Sequence, residues 1–313
     1  MEKMKHQPIA ITEHLFQLGT KSFPVYLSMG EEGMIIEGGT GPTAEIIARQ
    51  IESMDIDPER ISTIALTHTH ADHVGAVPRL RRLWPRVKIL AGPTASRFLK
   101  RDTFVREFLP ADRMIGKILM ERKDINEMPQ KLDHYHFEAD VVVEPGDRID
   151  LGDGIVWSVF HTPGHSPCHI SLFEEKEETL VIGDMTGYFD PDMDVFWPNY
   201  FHSLEAYCLS IEKAMALPAM RGLLSHNGVI EGHVREHFQK ALKATEHYHR
   251  EILGRLDCGE DPERICLDKA EWVVSLGALA SCNVINALCR LLLKQSQRER
   301  GKELFSGLQV AAA

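Results

Sequence analysis

A chain of 313 residues with 43% hydrophobic and 26% charged side chains has the make-up of an ordinary folded globular protein, and its length suits one large α/β domain or two smaller ones. The formal net charge of -11 repels a phosphate backbone, which argues against nucleic acid as a partner. Six cysteines, at 168, 208, 258, 266, 282 and 289, form no CxxC pair and no dense framework, so reduced thiols in a cytoplasm are expected.

The start, MEKMKHQPIAITEH, has no continuous apolar stretch, so neither a secretory signal nor a membrane anchor is expected. Short strand-like runs at His14 to Leu18, Val25 to Ser28 and Met34 to Ile36, separated by Gly and Pro, predict an opening antiparallel sheet. Ala44 to Met54 has helical spacing through Ile46, Ile47, Ile51 and Met54, and Ile61 to Leu66 reads as a short apolar strand. A helix over Gly75 to Leu83 and a strand over Val87 to Ala91 follow. Arg79, Arg81, Arg82, Arg86 and Lys88 interleave there with Leu80, Leu83 and Val87, which reads as a solvated helix face.

Residues 101–137, rich in Arg, Glu, Met and Leu, read as a helical insertion. His134-Tyr-His136 has ligand spacing, but nothing comparable surrounds it, and a half-exposed strand is the better reading. Strand character returns at Val141 to Val143, Ile149 to Leu151, Val156 to Phe160, His169 to Phe173 and Leu180 to Ile182, then a helix at Leu204 to Ala216 and a strand at Arg221 to Leu224. From Val234 the spacing of His237, Ala241, Ala244 and Tyr248 is helical, and residues 233–313 are expected to form an appended cap over the rest. Its apolar stretch from Trp272 to Leu293, broken by polar residues, reads as a packed helix rather than a membrane span.

The chemistry concentrates directly after the strand ending at Leu66. Thr67-His68-Thr69-His70-Ala71-Asp72-His73 places four ligand-type groups within six residues, and imidazole and carboxylate are what zinc, iron or manganese accept. If the segment leaves the strand as a loop and then turns into a helix, His68 and His70 can face one ion while Asp72 and His73 face another. Three further places follow strands beside small or turn-forming residues: His161-Thr-Pro-Gly-His165, Gly183-Asp184 and Ser225-His226-Asn227-Gly228. A carboxylate such as Asp184 can give one oxygen to each ion.

With these residues in view, the sequence resembles the metallo-β-lactamase superfamily over about residues 10 to 230, whose HxHxDH motif stands here as His68, His70, Asp72, His73. The resemblance implies an α/β fold, an αββα sandwich with the metals at one edge of its sheets, carried by residues 1–232, with residues 233–313 as the helical extension. It implies two divalent ions, zinc or iron with manganese admissible: His68, His70 and His165 on one, Asp72, His73 and His226 on the other, and Asp184 between them. Ile36-Glu37-Gly38-Gly39, the stretch from Gly183 to Asp190 and the helical tail further resemble the 2-aminobenzoylacetyl-coenzyme A thioesterase branch of pseudomonad alkylquinolone synthesis, although Tyr188 stands where that branch carries a glutamate.

Two close ions would draw the pKa of a shared water from about 15.7 toward neutrality and so supply hydroxide without a side-chain nucleophile. A thioester suits such a site, because a thiolate leaves without the proton that an amide nitrogen requires. Catalytic roles are expected for Asp72, as ligand and proton carrier, and for Tyr188, as a phenol reaching the substrate oxygen; Glu37 and His169 are expected to orient ligands rather than bind metal. Cys168 reads as a buried small apolar residue. The partner is then a small ester or thioester, with no nucleic acid, no membrane and a homodimer left open. The readings weighed against this one are a lactonase or phosphodiesterase, a persulfide dioxygenase with a single iron, and a signalling protein whose metal site is vestigial.

Overall fold

Runs of β-branched and large apolar residues pair into two sheets in the computed structural model, which describes residues 5–277 and 280–305. In chain order the elements are β1 (Ile9–Ala10), β2 (Leu15–Gly19), β3 (Pro24–Met29), β4 (Gly33–Ile36), α1 (Ala44–Ser53), β5 (Ile61–Leu66), α2 (Ala71–Val74), α3 (Val77–Leu83), β6 (Lys88–Ala91), α4 (Pro93–Leu99), α5 (Phe104–Glu121) and β7 (Val141–Val142). The second half adds β8 (Arg148–Asp150), β9 (Val156–His161), β10 (Ile170–Glu174), β11 (Thr179–Gly183), β12 (Tyr188–Asp190), β13 (Val195–Trp197), α6 (Leu204–Met215), β14 (Arg221–Leu224), β15 (Val229–Glu231), α7 (Val234–Asp257), α8 (Pro262–Ser275) and α9 (Cys282–Arg298).

One sheet runs β1-β2-β3-β4-β5-β6-β7 and the other β15-β14-β11-β10-β9-β8. Successive side chains on a strand point to opposite faces, and both faces here are covered, so the central strands carry apolar residues on both faces. Tyr26, Met34, Ile36, Trp157, Leu172 and Val181 fill the space between the sheets. Their neighbours Val25, Leu27 and Ile35 pack on α1, α3, α4 and α5 through Ile47, Leu80, Leu99 and Phe108. On the far side Leu180 and Ile182 pack on α6 to α9 through Ile211, Phe238, Ile265 and Leu292. The result is the four-layer helix–sheet–sheet–helix order anticipated from the sequence.

Three parts depart from expectation. The apolar run from Trp272 to Leu293 is not one helix: α8 ends at Ser275, Gly277 takes φ 81, and α9 begins at Cys282. A left-handed backbone at Gly277 ends a helix without the penalty an L side chain would carry. Within 101–137 only α5 is regular, and residues 122–140 belong to no helix or strand. His134 and His136 are exposed and Phe137 is buried, an extended alternation that finds no partner strand, since pairing with β6 starts only at Val141. The short hairpin of β12 and β13 had no strong pattern to announce it. The readings at residues 1–4 and 306–313 lie outside the described residues.

Two anchors set the walls around the sheet edge. The buried Asp112 of α5 accepts a hydrogen bond from the Gly41 backbone N–H at 2.6 Å, and burial pushes its carboxyl up to about 6. Tyr200 and Ser296 share a hydroxyl hydrogen bond of 2.8 Å, which ties α9 to the chain after β13. On α7, His237 Nε2 lies 3.1 Å from Thr186 Oγ1 while its ring packs between Phe189 and Phe196. Burial lowers the His237 pKa to about 4, so it stays neutral in the folded protein where a free imidazole, near 6.5, would take up a proton. The unfolded chain therefore binds the extra proton between those values, and stability is full above about pH 6.5 and is lost as pH falls toward 4. His237→Gln is expected to flatten urea-unfolding stability over that window by up to about 3 kcal/mol; an unaltered slope would show that other groups carry the acid sensitivity. No helix among the described residues is long and apolar enough to cross a membrane.

Candidate metal centre

β4 and β5 run parallel, as do β11 and β14, and β9 points the same way as β11, so their carboxyl-terminal ends gather at one rim of the sandwich. His68 and His70 lie in the loop after β5, Asp72 and His73 on α2, and His165, Asp184 and His226 follow β9, β11 and β14. Two glycines let the backbone come this close. A Cβ on Gly164, at φ 137, would sit 2.3 Å from Tyr207 Cα, and one on Gly183, at φ 60, would sit 2.6 Å from His169 Nε2. Each precedes a donor residue.

The donor atoms fall into two groups able to hold a metal ion, His68 with His70, His165 and Asp184, and Asp72 with His73 and His226. In the first, His70 Nδ1 lies 3.0 Å from His68 Nε2 and 2.9 Å from His165 Nε2. Asp184 Oδ2 lies 3.3 Å from His165 Nε2. In the second, Asp72 Oδ2 is 3.4 Å from His73 Nε2 and 3.5 Å from His226 Nε2. Asp184 faces this group as well, with Oδ2 3.2 Å from His73 Nε2 and Oδ1 3.6 Å from His226 Nε2. These separations approximate the edges of a coordination shell with bonds of about 2.0–2.1 Å.

The hydrogen bonds behind the rings decide which nitrogen faces inward. His73 Nδ1 meets Glu37 Oε2 at 3.1 Å, His165 Nδ1 the Asn199 carbonyl at 3.1 Å, and His226 Nδ1 the Ser22 carbonyl at 2.9 Å. Carboxylate and carbonyl oxygens only accept, so each of these Nδ1 atoms carries a proton and each Nε2 is the nitrogen that turns inward, where it can give its lone pair to a metal. His68 Nδ1 lies 3.0 Å from Thr67 Oγ1, whose own proton goes to Glu37 Oε1 at 2.8 Å, so His68 follows the same rule. Burial, reinforced by neighbouring imidazoles, lowers the pKa of His68 and His165 and keeps both neutral. Burial would lower His73 too, but Asp72, Glu37 and Asp184 outweigh it and raise its pKa, a sign that the pocket around it demands positive charge. His73 Nε2 and Asp184 Oδ1 are buried without a hydrogen-bond partner. Converging lone pairs and orphaned buried atoms are costly unless a cation sits between them, and the residues present fit one.

All seven residues anticipated as ligands are thus brought together. Glu37 lies behind them: it takes His73, Thr67 and also Ser225 Oγ, at 2.7 Å, and adopts φ 78 to do so. His169 is fully buried, with Nδ1 2.8 Å from Thr162 Oγ1 and Nε2 accepting the Asp184 backbone N–H at 3.2 Å, so it holds the Asp184 turn and points no free nitrogen at the donors. Cys168 is buried among apolar residues. The basic run of α3 and its flank is partly neutralised, Arg81 by Asp140 at 2.7 Å and Arg86 by Glu59 at 2.9 Å.

The donors open into a cavity of about 480 Å³. Its walls include Tyr188 from β12, Phe104 and Phe108 from α5, and Ile285 and Leu288 from α9. Tyr188 stands with its ring centroid 6.0 Å from that of His226. Asn199, Arg101 and the α5 aromatics went unnoticed in the sequence, where nothing in their spacing connects them to the histidine motif.

Comparison with known proteins places these features in context. The model of the metallo-beta-lactamase superfamily matches residues 25–226. An uncharacterized protein of Aquifex aeolicus is 31% identical over 154 residues, 49% of this chain and 59% of its own length. The atrochrysone carboxyl ACP thioesterase of Aspergillus fumigatus is 24% identical over 239 residues, 75% of this chain and 59% of its own. The chain therefore spans about three fifths of the length of these two relatives. Among solved structures, a metallo-beta-lactamase family protein from Thermus thermophilus superposes with a TM-score of 0.66 at 18% identity, over 93% of this chain and 95% of that one.

Proposed function

The chain belongs to the metallo-beta-lactamase superfamily, and from that premise we propose that it is a dinuclear metal-dependent hydrolase of a thioester or related ester. The observation that carries the reading is the facing pair of donor groups with Asp184 turned toward both, opening into a largely apolar cavity. When bound there, two divalent ions supply Lewis acidity and a hydroxide nucleophile near neutral pH. His68, His70 and His165 would hold one ion and Asp72, His73 and His226 the other. The chain's own part is to fix the ring tautomers of His68, His73, His165 and His226 from behind, to exclude water from the apolar part of the cavity, and to present Asp72 and Tyr188 to the substrate. Asp72 is half-buried, and against that burial His73 and His226 hold its carboxyl well below the usual range, so it is ionised and placed to receive the hydroxide's proton once the thiolate has left and the product acid ionises. The Tyr188 phenol, on the cavity wall, donates to the oxygen that gains charge.

A thioester is favoured over an amide because nothing in this arrangement need deliver a full proton to the leaving sulfur. The similarity to an acyl carrier protein thioesterase, and the contribution of α9 to the cavity wall, support thioester cleavage as the reaction. The free cysteines accord with a cytoplasmic setting. Elemental analysis of protein purified without added metal, followed by a panel of thioesters, lactones and phosphodiesters, tests the proposal. Two ions per chain and preferential thioester cleavage are expected. One iron per chain with oxygen uptake would replace it with sulfur oxidation, and two bound ions with no turnover would end the enzyme claim. Tyr188→Phe should lower kcat about tenfold to a hundredfold with metal content intact; an unchanged kcat would leave Tyr188 as wall packing.

A further inference from the structure

Arg101 lies between α4 and α5 and lines the same cavity as His70, Asp72 and Asp184, well away from them in sequence. Its guanidinium carbon sits 4.0 Å from the centroid of the Phe98 ring. Such stacking holds the planar fork by its face and leaves its edge N–H groups free to bind. Arg101 is exposed, and among the described residues no hydrogen bond or ion pair uses its guanidinium; Arg82, Arg106, Arg113 and Arg148 are as free, but none of them lines this cavity. Glu107 lines the same cavity and is not paired with Arg101 either. The local charge runs against the chain: residues 97–117 carry six Lys or Arg against three Asp or Glu, in a protein of net charge -11. An unpaired guanidinium held by its face on a mostly aromatic and aliphatic wall is a fork suited to a carboxylate or a phosphate.

We propose that Arg101 determines specificity by binding an oxyanionic group, phosphate or carboxylate, that the substrate carries apart from its reacting carbonyl. This rests on the hydrolase reading of the cavity. The oxyanion can belong to the leaving thiol or to the far end of the acyl group, and Glu107, as the second charge on the wall, opposes it and sharpens the position it takes.

Three thioesters separate these cases: S-hexanoyl-N-acetylcysteamine, neutral throughout; S-hexanoyl-4′-phosphopantetheine, with phosphate on the thiol; and S-adipoyl-N-acetylcysteamine, with a carboxylate on the acyl chain. The native protein is expected to prefer one anionic ester over the neutral one, and which one it prefers locates the oxyanion. Arg101→Gln should cut that selectivity about tenfold or more, with the loss in KM rather than kcat, as for interactions made equally in ground and transition states. Glu107→Gln should shift it the opposite way. Selectivity within twofold of the native value in Arg101→Gln overturns the proposal. If the native protein cleaves none of the three, the hydrolase reading fails on its own account, and binding decides. S-hexyl-4′-phosphopantetheine, S-hexyl-N-acetylcysteamine and the ω-carboxy analogue of the latter, S-(5-carboxypentyl)-N-acetylcysteamine, would be titrated by tryptophan fluorescence, Trp197 lining the cavity. A tenfold loss of preference for either anionic thioether in Arg101→Gln upholds the role, and equal preference for both in the two proteins removes it.

Discussion

Asp184→Asn is expected to yield a folded protein that holds fewer than two metal ions per chain and loses about a thousandfold or more in kcat/KM. Asparagine keeps the size of the side chain and its place after β11, but replaces an oxygen that faces both donor groups with an amide. The Oδ2 atom that approaches His165 at 3.3 Å and His73 at 3.2 Å carries charge that would serve a cation in each donor group, and a neutral amide offers one weaker oxygen and two hydrogens instead. A thousandfold corresponds to about 4 kcal/mol, within the several kcal/mol that a metal ion contributes to transition-state charge stabilisation. Metal content by elemental analysis, circular dichroism for the fold and steady-state kinetics read the three effects separately. If both ions and the native rate survive, Asp184 does not join the two groups. If the fold is lost, the carboxylate is a structural counter-charge for the imidazoles before it is anything else.

How far the sequence disclosed this site follows from how far apart its parts lie. His68, His70, Asp72 and His73 are neighbours along the chain, so their density was visible at once, and His165, Asp184 and His226 each stand at a strand end beside a small residue. Parallel pairing of β4 with β5 and of β11 with β14 turns those scattered strand ends into one rim, and the apolar runs marked the strands but not that pairing. The cavity wall was not readable in the same way. Phe104 and Phe108 reach it because Asp112 docks α5 on the Gly41 backbone, and Ile285 and Leu288 because Tyr200 and Ser296 tie down α9. These are polar contacts between residues far apart in sequence, with no periodicity to betray them. The break after Ser275 was hidden for a related reason: hydrophobic residues continue on both sides of Gly277, and only its backbone conformation marks the turn.

The site also explains why a glutamate occupies a backbone conformation that suits glycine. Glu37 has φ 78, in a region that costs a non-glycine residue on the order of 1–3 kcal/mol. Its backbone N–H is fixed on the Ala65 carbonyl at 3.0 Å, so the residue cannot relax without leaving β5. In that pose one buried carboxylate receives Thr67 from the end of β5, His73 from α2 and Ser225 from the end of β14, and so joins donors borne by both sheets. The strain persists because this side chain holds the loops in register.

Glu37→Gln is therefore expected to weaken one metal site far more than the other. The amide oxygen can still accept from Thr67 and Ser225, but the amide nitrogen then meets the protonated Nδ1 of His73, donor against donor. His73 escapes by moving its proton to Nε2, which removes the lone pair that faces Asp72 and Asp184. Orienting partners of this kind are worth about 10–100-fold in metal affinity, so a competitive-chelator titration should release the ion of the Asp72, His73 and His226 group first and leave the other near its native affinity. Glu37→Gly separates the strain from the hydrogen bonds. It relieves the backbone but leaves two hydroxyls and an imidazole unpaired in a dry interior, at about 1–3 kcal/mol for each group, so urea unfolding should show net destabilisation. Equal loss of both ions in Glu37→Gln would show that the carboxylate acts by general charge and not by setting the His73 tautomer, and a stabilised Glu37→Gly would show that the strain outweighs the bonds it maintains.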